Sequence, residues 1–206
     1  MSDLNKDWTP SFGIIYAWFA MDRNGLIAVM VNNCWGDIPQ SILTVPNVEL
    51  LLDNLSEYMW EESEQYKNYP SNKKGKLIVD LYSYWRNKEM DLEKIIKRLS
   101  ANISQLKNYS EANLSVNKGY FVYHAIEGSQ QDEDYPVGYE GQTKMGDYFR
   151  YLVPTVFASI NDFPKELWHG IAVSDVLDFT IDRVLDNDKI NTYFPRNHEA
   201  GQIMIL

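Results

Sequence analysis

The chain is poor in cysteine, in long apolar runs and in leader-type segments. It contains one cysteine, Cys34, among 206 residues. A single thiol excludes an internal disulfide and fits a reducing compartment. No apolar run approaches the roughly 20 residues that cross a bilayer, and the first residues, MSDLNKDWTPS, have no basic segment followed by an apolar one. These absences predict a soluble, cytoplasmic protein without a membrane partner.

Basic residues are also scarce relative to acidic ones. The chain has 19 Lys and Arg against 29 Asp and Glu, which gives a formal net charge of −10. Nucleic acids require a basic surface to meet their phosphates, so we expect no nucleic-acid partner. An acidic surface serves solubility and can also meet a basic protein.

Recognisable catalytic and metal-binding motifs are missing as well. His124, His169 and His198 are far apart, and none has a second ligand at metal-binding spacing on one helix. The sequence contains no Gly-x-Ser-x-Gly nucleophile turn, no phosphate-binding glycine-rich loop and no Gly-x-Gly-x-x-Gly after a strand. We therefore expect no catalytic residue, no metal and no cofactor.

The clearest positive signal is a β-hairpin between Phe12 and Pro39. Two runs rich in aromatic and β-branched residues, 13–21 and 26–31, flank the turn sequence Asp-Arg-Asn-Gly. Asn-Gly favours a tight hairpin turn because both residues tolerate positive φ. Both faces of the first strand are apolar, so we predict that it is central in its sheet.

Two amphipathic helices are predicted after the hairpin. The first begins at an Asn47 N-cap and continues to about Lys67, and the second begins at an Asp91 N-cap and continues to about Lys107. Between them, Leu77 to Trp85 is compatible with a helix or a strand, and we predict a helix.

The second half of the chain returns to strand patterns. We predict a strand at 119–126, one at 148–158 interrupted by Pro154 and one within 176–184. The last segment, including 203–206, either adds a terminal strand or frays. The absence of repeats and linkers indicates one domain over residues 1–206. The expected class is α+β, with a mainly antiparallel sheet, an N-terminal hairpin and two to three packed amphipathic helices.

A long segment from Gly128 to Gly146 is predicted to be an exposed loop. It is glycine-rich and acidic, and loops of this length in compact domains are often functional. Its acids would steer a basic partner and its tyrosines would anchor the interface. The candidate contact residues are Asp132, Glu133, Asp134, Tyr135 and Tyr139, with Glu61, Glu62 and Glu64 on the first helix as a second group.

Three short motifs resemble a group of uncharacterised bacterial cytoplasmic proteins. The hairpin residues 18–28 match W-[FI]-A-x-D-x-x-G-x-[IV]-A, residues 119–123 match G-[LY]-[YF]-x-Y, and residues 151–164 resemble a strand followed by a Leu-Pro element. In its small size, acidity and single-domain character the chain also resembles immunity proteins of polymorphic-toxin and contact-dependent inhibition systems. This resemblance implies a non-enzymatic function.

The leading hypothesis is a protein-binding protein, an immunity protein that occludes a basic toxin domain through acidic surfaces. The alternative is an enzyme or small-ligand-binding protein with an aromatic-lined pocket, because the chain has 6 Trp and 14 Tyr. The sequence leaves the oligomeric state open.

Overall fold

A computed structural model describes residues 4–128 and 133–198, which form an α+β fold. The strands are β1 (Ala17–Met21), β2 (Ile27–Val31), β3 (Tyr82–Ser83), β4 (Phe121–Ala125), β5 (Pro136–Val137), β6 (Tyr148–Leu152), β7 (Ile171–Val173), β8 (Val184–Leu185) and β9 (Arg196–Asn197). The α-helices are α1 (Gln40–Leu43), α2 (Val48–Trp60), α3 (Leu92–Leu106), α4 (Glu111–Val116) and α5 (Ile190–Tyr193). Short 3₁₀ helices cover Trp85–Asn87, Lys107–Tyr109, Ile160–Asp162, Lys165–Gly170 and Asn187–Lys189.

The predicted hairpin is confirmed and lies in the middle of the main sheet. Strands β1 and β2 pair antiparallel from Ala17 opposite Val31 to Met21 opposite Ile27. Gly25 takes a φ of 79° in the turn, a conformation that glycine adopts without strain. Because neighbouring strands and packed helices enclose the hairpin, Trp18 and Phe19 are fully buried. The first strand begins at Ala17, later than the sequence pattern indicates.

The main sheet is mixed, so the expected mainly antiparallel architecture fits only in part. Its strand order is β8-β6-β4-β2-β1-β7-β9. The hairpin pairs in parallel on both sides, with β4 next to β2 and β7 next to β1, while the outer pairings are antiparallel. Parallel pairs need long crossover connections, which leave no local turn signal in the sequence. The two strands β3 and β5 form a separate small antiparallel sheet.

Both predicted long helices are present, although the first is shorter than expected. Helix α2 stops at Trp60 because Glu61 takes a left-handed conformation with a φ of 61°. Asn47 is its N-cap by position, but its side chain makes no capping hydrogen bond. Helix α3 begins as predicted, with the Asp91 carboxylate accepting a hydrogen bond of 2.9 Å from the backbone N–H of Lys94.

The predicted helix at 77–85 is wrong, because residues 78–83 are extended, with 78–81 paired to β6 and 82–83 to β5. Val79 bridges to Leu152, and the N–H groups of Asp80 and Leu81 donate to carbonyls of β6. Burial alternates along the segment, with the side chains at 79, 81 and 83 buried and their neighbours more exposed. This period of two is typical of a half-buried strand. Strand β8 pairs only with Tyr148 and Phe149 of β6, so the rest of that edge of β6 is free to pair with the extended segment.

Predictions for the second half are confirmed unevenly. Strand β4 is present, and β6 ends two residues before Pro154, which cannot donate to a ladder. The strand expected within 176–184 is wrong, since only Val184 belongs to a strand and the preceding residues form turns held by Asp178 and Asp182. The segment 203–206, expected either to add a terminal strand or to fray, lies outside the described residues.

One hydrophobic core extends over the described chain from Leu4 to Phe194. Trp18 lies at its centre, where the indole N–H donates to the Tyr148 hydroxyl at 3.0 Å and the ring meets Phe194 edge-on. Because the indole N–H has an acceptor, burying Trp18 leaves no unsatisfied hydrogen-bond donor. Within residues 4–128 and 133–198, no helix is long and apolar enough to cross a membrane.

Candidate functional site

The small sheet β3–β5 positions the loop that the sequence analysis singled out. Tyr82 pairs with Val137 and Ser83 with Pro136, and the N–H of Tyr84 donates to the carbonyl of Tyr135 at 3.0 Å. The loop is therefore tied to the segment that continues from the β6 edge. A pair of two-residue strands cannot be stable alone, so further contacts must hold it.

Asp134 supplies those contacts and is buried, at 3 % exposed. One carboxylate oxygen accepts hydrogen bonds from the Ser83 hydroxyl at 2.8 Å and the Trp85 N–H at 2.9 Å. The other oxygen accepts from the Glu127 N–H at 3.3 Å. The expectation that Asp134 contacts a partner therefore needs correction, because its carboxylate faces inward and its hydrogen bonds join three parts of the chain.

The aromatic residues around this sheet are exposed. Tyr135 stacks on Tyr84 with ring centroids 4.7 Å apart and planes inclined by 12°. Both rings, together with Trp85 and Tyr139, expose between 36 % and 45 % of their surface. Four such rings within one small sheet and its flanks form an aromatic surface, the name used below for Tyr84, Trp85, Tyr135 and Tyr139.

The remaining predicted acids are distributed over different surroundings. Asp132 lies outside the described residues, and Glu133 is half-buried. The Glu61 carboxylate binds the Lys118 ammonium at 2.5 Å and the Asn108 amide at 2.7 Å, and Glu62 accepts from the Tyr109 hydroxyl at 2.9 Å.

Glu64 is exposed, as are Asp53 and Glu57 on the outer surface of α2. The structure thus brings Tyr135 of the loop together with Tyr84. The second group of acids instead lies at the end of α2, where Glu61 and Glu62 bind side chains that follow α3.

A small polar cleft lies beside the aromatic surface. Its volume is about 200 Å³, and the 83–87 segment forms one wall. The opposite walls come from α3, from the first residue of α4 and from the face of the main sheet. The lining residues are Ser83, Arg86, Asn87, Arg98, Glu111, His124, Phe149 and Tyr151.

Glu111 and His124 form a close hydrogen-bonded pair in this cleft, between Oε1 and the ring nitrogen Nε2. The His124 side chain is almost fully enclosed, with 8 % of its surface exposed, whereas the Glu111 side chain has 33 % of its surface exposed. Burial opposes ionisation of Glu111, but His124, Arg86 and Arg98 outweigh burial and lower the pKa of its carboxyl. The pair therefore carries an ionised carboxylate at neutral pH.

Two guanidinium groups flank this pair and are held differently. Arg86 donates from Nε to Glu127 at 2.7 Å and also binds the Asn33 side chain, so a carboxylate already neutralises it. Arg98 donates to the Asn87 side-chain oxygen at 3.1 Å. Within the described chain, Arg98 has no carboxylate within ion-pair distance.

Tyr151 completes the cleft on the sheet side. Burial raises the pKa of its hydroxyl to about 12, so it stays protonated and can donate at neutral pH. Its ring meets His124 edge-on at 5.2 Å. The arrangement offers hydrogen-bond donors and one carboxylate. Across residues 4–128 and 133–198, no cluster of His, Cys, Asp and Glu is arranged to hold a metal ion.

A separate open groove of about 610 Å³ contains Tyr58, Tyr66, Tyr69 and Phe163. The rings of Tyr58 and Tyr69 are 5.2 Å apart, and Phe163 also packs against Tyr58. The Tyr58 hydroxyl donates to the Asp162 carbonyl at 2.9 Å, and burial raises the pKa of this hydroxyl to about 12. These aromatic residues pack against one another at the rim of the core.

Comparison with protein-family models, curated proteins and solved structures finds no match for this chain. Assignment of function therefore depends on the geometry described above.

The cleft residues were not singled out by the sequence analysis. Glu111 and His124 are 13 positions apart, and Arg98 lies on another helix, so no short motif unites them. One signal was available, because Arg98 is an exposed cation beside the apolar stripe of α3 that contains Ile95 and Leu99. A lone arginine at such a position is also common on solvated helix surfaces, so the pattern alone could not identify a site.

Proposed function

We propose that this chain is a non-enzymatic protein-binding protein, with the character of an immunity protein that occludes a toxin domain. The observation that carries this proposal is the exposed stack of Tyr84 and Tyr135 on the small sheet. Large aromatic side chains are enriched among the residues that dominate binding energy at interfaces. In this chain they are held ready by the buried carboxylate of Asp134.

Rigid presentation favours binding because less side-chain freedom is lost on association. Tyr84 and Tyr135 already pack on each other, and Trp85 has Lys88 over its ring, with the ammonium 3.5 Å from the centroid. The aromatic surface is thus ordered before a partner arrives. We assign it the anchoring role that the sequence analysis gave to Tyr135 and Tyr139 alone.

The acidic charge of the chain supports a basic partner. Exposed carboxylates on α2 and just after it, including Asp53, Glu57 and Glu64, would attract such a partner over longer distances. The acids that would steer the partner are therefore different residues from the aromatic side chains that would anchor it. Replacing these three acids with Asn or Gln should slow association and weaken its dependence on salt, while the dissociation rate changes little.

The direct test is co-purification with toxin-like proteins whose genes are adjacent to the gene for this chain. Co-expression of this chain should then restore the growth of cells that express the toxin. Tyr135→Ala should weaken a complex by about tenfold or more, as expected for an interface anchor. Phe12→Ala is the control, because Phe12 is an exposed aromatic residue outside both the aromatic surface and the candidate acids. Failure of every adjacent toxin-like protein to bind or to be neutralised would reject the proposal.

A further inference from the structure

We propose that the polar cleft binds a small molecule through a carboxylate or phosphate group, with the Arg98 guanidinium receiving the oxyanion. This site is distinct from the aromatic surface, although the 83–87 segment borders both. The proposal does not depend on a protein partner.

The charge of the cleft differs from that of the rest of the chain. Its lining includes two guanidinium groups and an imidazole against one carboxylate, in a protein with a net charge of −10. Another groove, of about 580 Å³ at the start of α2, is lined among the described residues by the carboxylates of Glu49 and Asp53 and by no basic side chain. Because Arg86 is paired with Glu127 and Glu111 is ionised, the positive charge that a small anion can meet in this cleft is that of Arg98.

Arg98 has unused capacity to bind an anion. A guanidinium carries five N–H donors. The hydrogen bonds of Arg98 within the described chain are one to the Asn87 side-chain oxygen at 3.1 Å and a weak one to the Met90 sulfur at 3.7 Å. Since no carboxylate of the described chain lies within 4.0 Å, the charge of Arg98 is not neutralised by an ion pair. Planar oxyanions match the guanidinium fork well.

The guanidinium is also positioned before any ligand binds. Asn87 is buried, and its amide donates to the Ser83 carbonyl at 2.8 Å, which directs its oxygen toward Arg98. Arg86, by contrast, is already paired with Glu127. Arg98 is therefore the cation of the cleft that is both oriented and available.

The other groups limit the chemistry of the ligand. A volume of about 200 Å³ lies below the roughly 300–1,000 Å³ of drug-sized sites, so the ligand is small. The Glu111 carboxylate in the same cleft accepts hydrogen bonds and repels a second anionic group. The favoured class is a small molecule with one oxyanion and a neighbouring hydroxyl or amino group that can donate to Glu111.

Nuclear magnetic resonance of the histidine rings tests this proposal. The chain has three histidines, so His124 reports on the cleft while His169 and His198 report on the rest of the protein. Sodium phosphate, sodium acetate and sodium chloride are titrated at equal ionic strength. We expect a saturable shift of the His124 signals with acetate, with phosphate or with both, and no matching response to chloride. Acetate or phosphate then identifies the preferred oxyanion.

Two variants separate binding at Arg98 from a general effect of charge. Arg98→Gln removes the guanidinium and should weaken anion binding by about tenfold. Lys97→Gln removes one positive charge from the neighbouring exposed position of α3 and should leave binding within about twofold. Both variants are checked for an unchanged melting temperature, and Arg98→Lys replaces Arg98→Gln if the latter is unfolded. The proposal is overturned if His124 shows no saturable shift, or if the Arg98 and Lys97 variants bind anions equally.

Discussion

Asp22 and Asp134 are two buried carboxylates that each accept three hydrogen bonds, but Asp22 lies in the hairpin of the main sheet and Asp134 beside the small sheet. Asp22, at 1 % exposed, accepts hydrogen bonds of 2.9 Å from the N–H groups of Asn24, Leu26 and Phe179. Asp134 likewise joins segments that are distant in sequence, through Ser83, Trp85 and Glu127. In both places one side chain replaces backbone partners that the turns do not provide.

The surroundings decide what each carboxylate contributes. Asp22 closes the hairpin in the middle of a seven-stranded sheet, next to fully buried strands. Asp134 holds a two-stranded sheet whose aromatic side chains remain exposed. Loss of the first should therefore weaken the whole fold, whereas loss of the second should release mainly the aromatic surface.

The largest expected effect is that of Asp22→Ala. Removal of the carboxylate leaves three N–H groups around it without an acceptor, so the free energy of unfolding should fall by about 3 kcal/mol or more. Denaturant titration of the variant beside the wild type measures this change. Asp22→Asn keeps one acceptor oxygen and should lose less. A loss below about 1 kcal/mol in the alanine variant would show that the hairpin does not depend on this carboxylate.

Asp134→Ala should have a smaller effect on global stability, about 1–2 kcal/mol, and a larger local one. Amide hydrogen exchange should accelerate in residues 82–85 and 135–137 while β1 keeps its protection. Mass spectrometry of peptides from the two regions provides the comparison. Equal acceleration in both regions would contradict the separation between fold support and surface presentation.

The smallest effect concerns acid stability near the hairpin. Hydrogen bonds from Thr180 are the main cause that lowers the pKa of Asp178 from 3.8 to about 2, with Arg23 adding to the effect. A carboxyl with a lowered pKa in the folded state contributes stability above pH 3.8, and this contribution is lost as the pH falls toward 2. Asp178→Asn should therefore flatten the fall in stability between pH 4 and 2.

The contribution of Asp22 to the free energy of unfolding should change with pH in the opposite direction to that of Asp178. Burial raises the pKa of Asp22 despite its three backbone hydrogen bonds. Ionisation of this group in the folded state therefore reduces stability as the pH rises from 3.8 through the raised pKa. In Asp22→Asn this decrease should disappear, which distinguishes the two neighbouring acids in one series of unfolding measurements. An unchanged pH profile in both variants would count against these assignments.

Local patterns predicted those parts of the fold whose partners are close in sequence. The Asn-Gly turn identified the hairpin, and Asp91 with its apolar stripe identified α3. The same reasoning failed for 77–85, where composition allowed both structures and the free edge of β6 selected the extended one. The candidate site was predicted less well, since Tyr135 and Tyr139 are exposed as expected but Asp134 faces inward.

The sequence by itself determined the central hairpin, the two long amphipathic helices and the acidic character of the surface, because turn chemistry, hydrophobic period and charge are local properties. Only the tertiary structure decided the parallel pairings on both sides of the hairpin and the inward direction of Asp134. It also decided the meeting of Arg98, Glu111 and His124 in one cleft. These features depend on contacts between residues far apart in the chain, for which no short pattern exists.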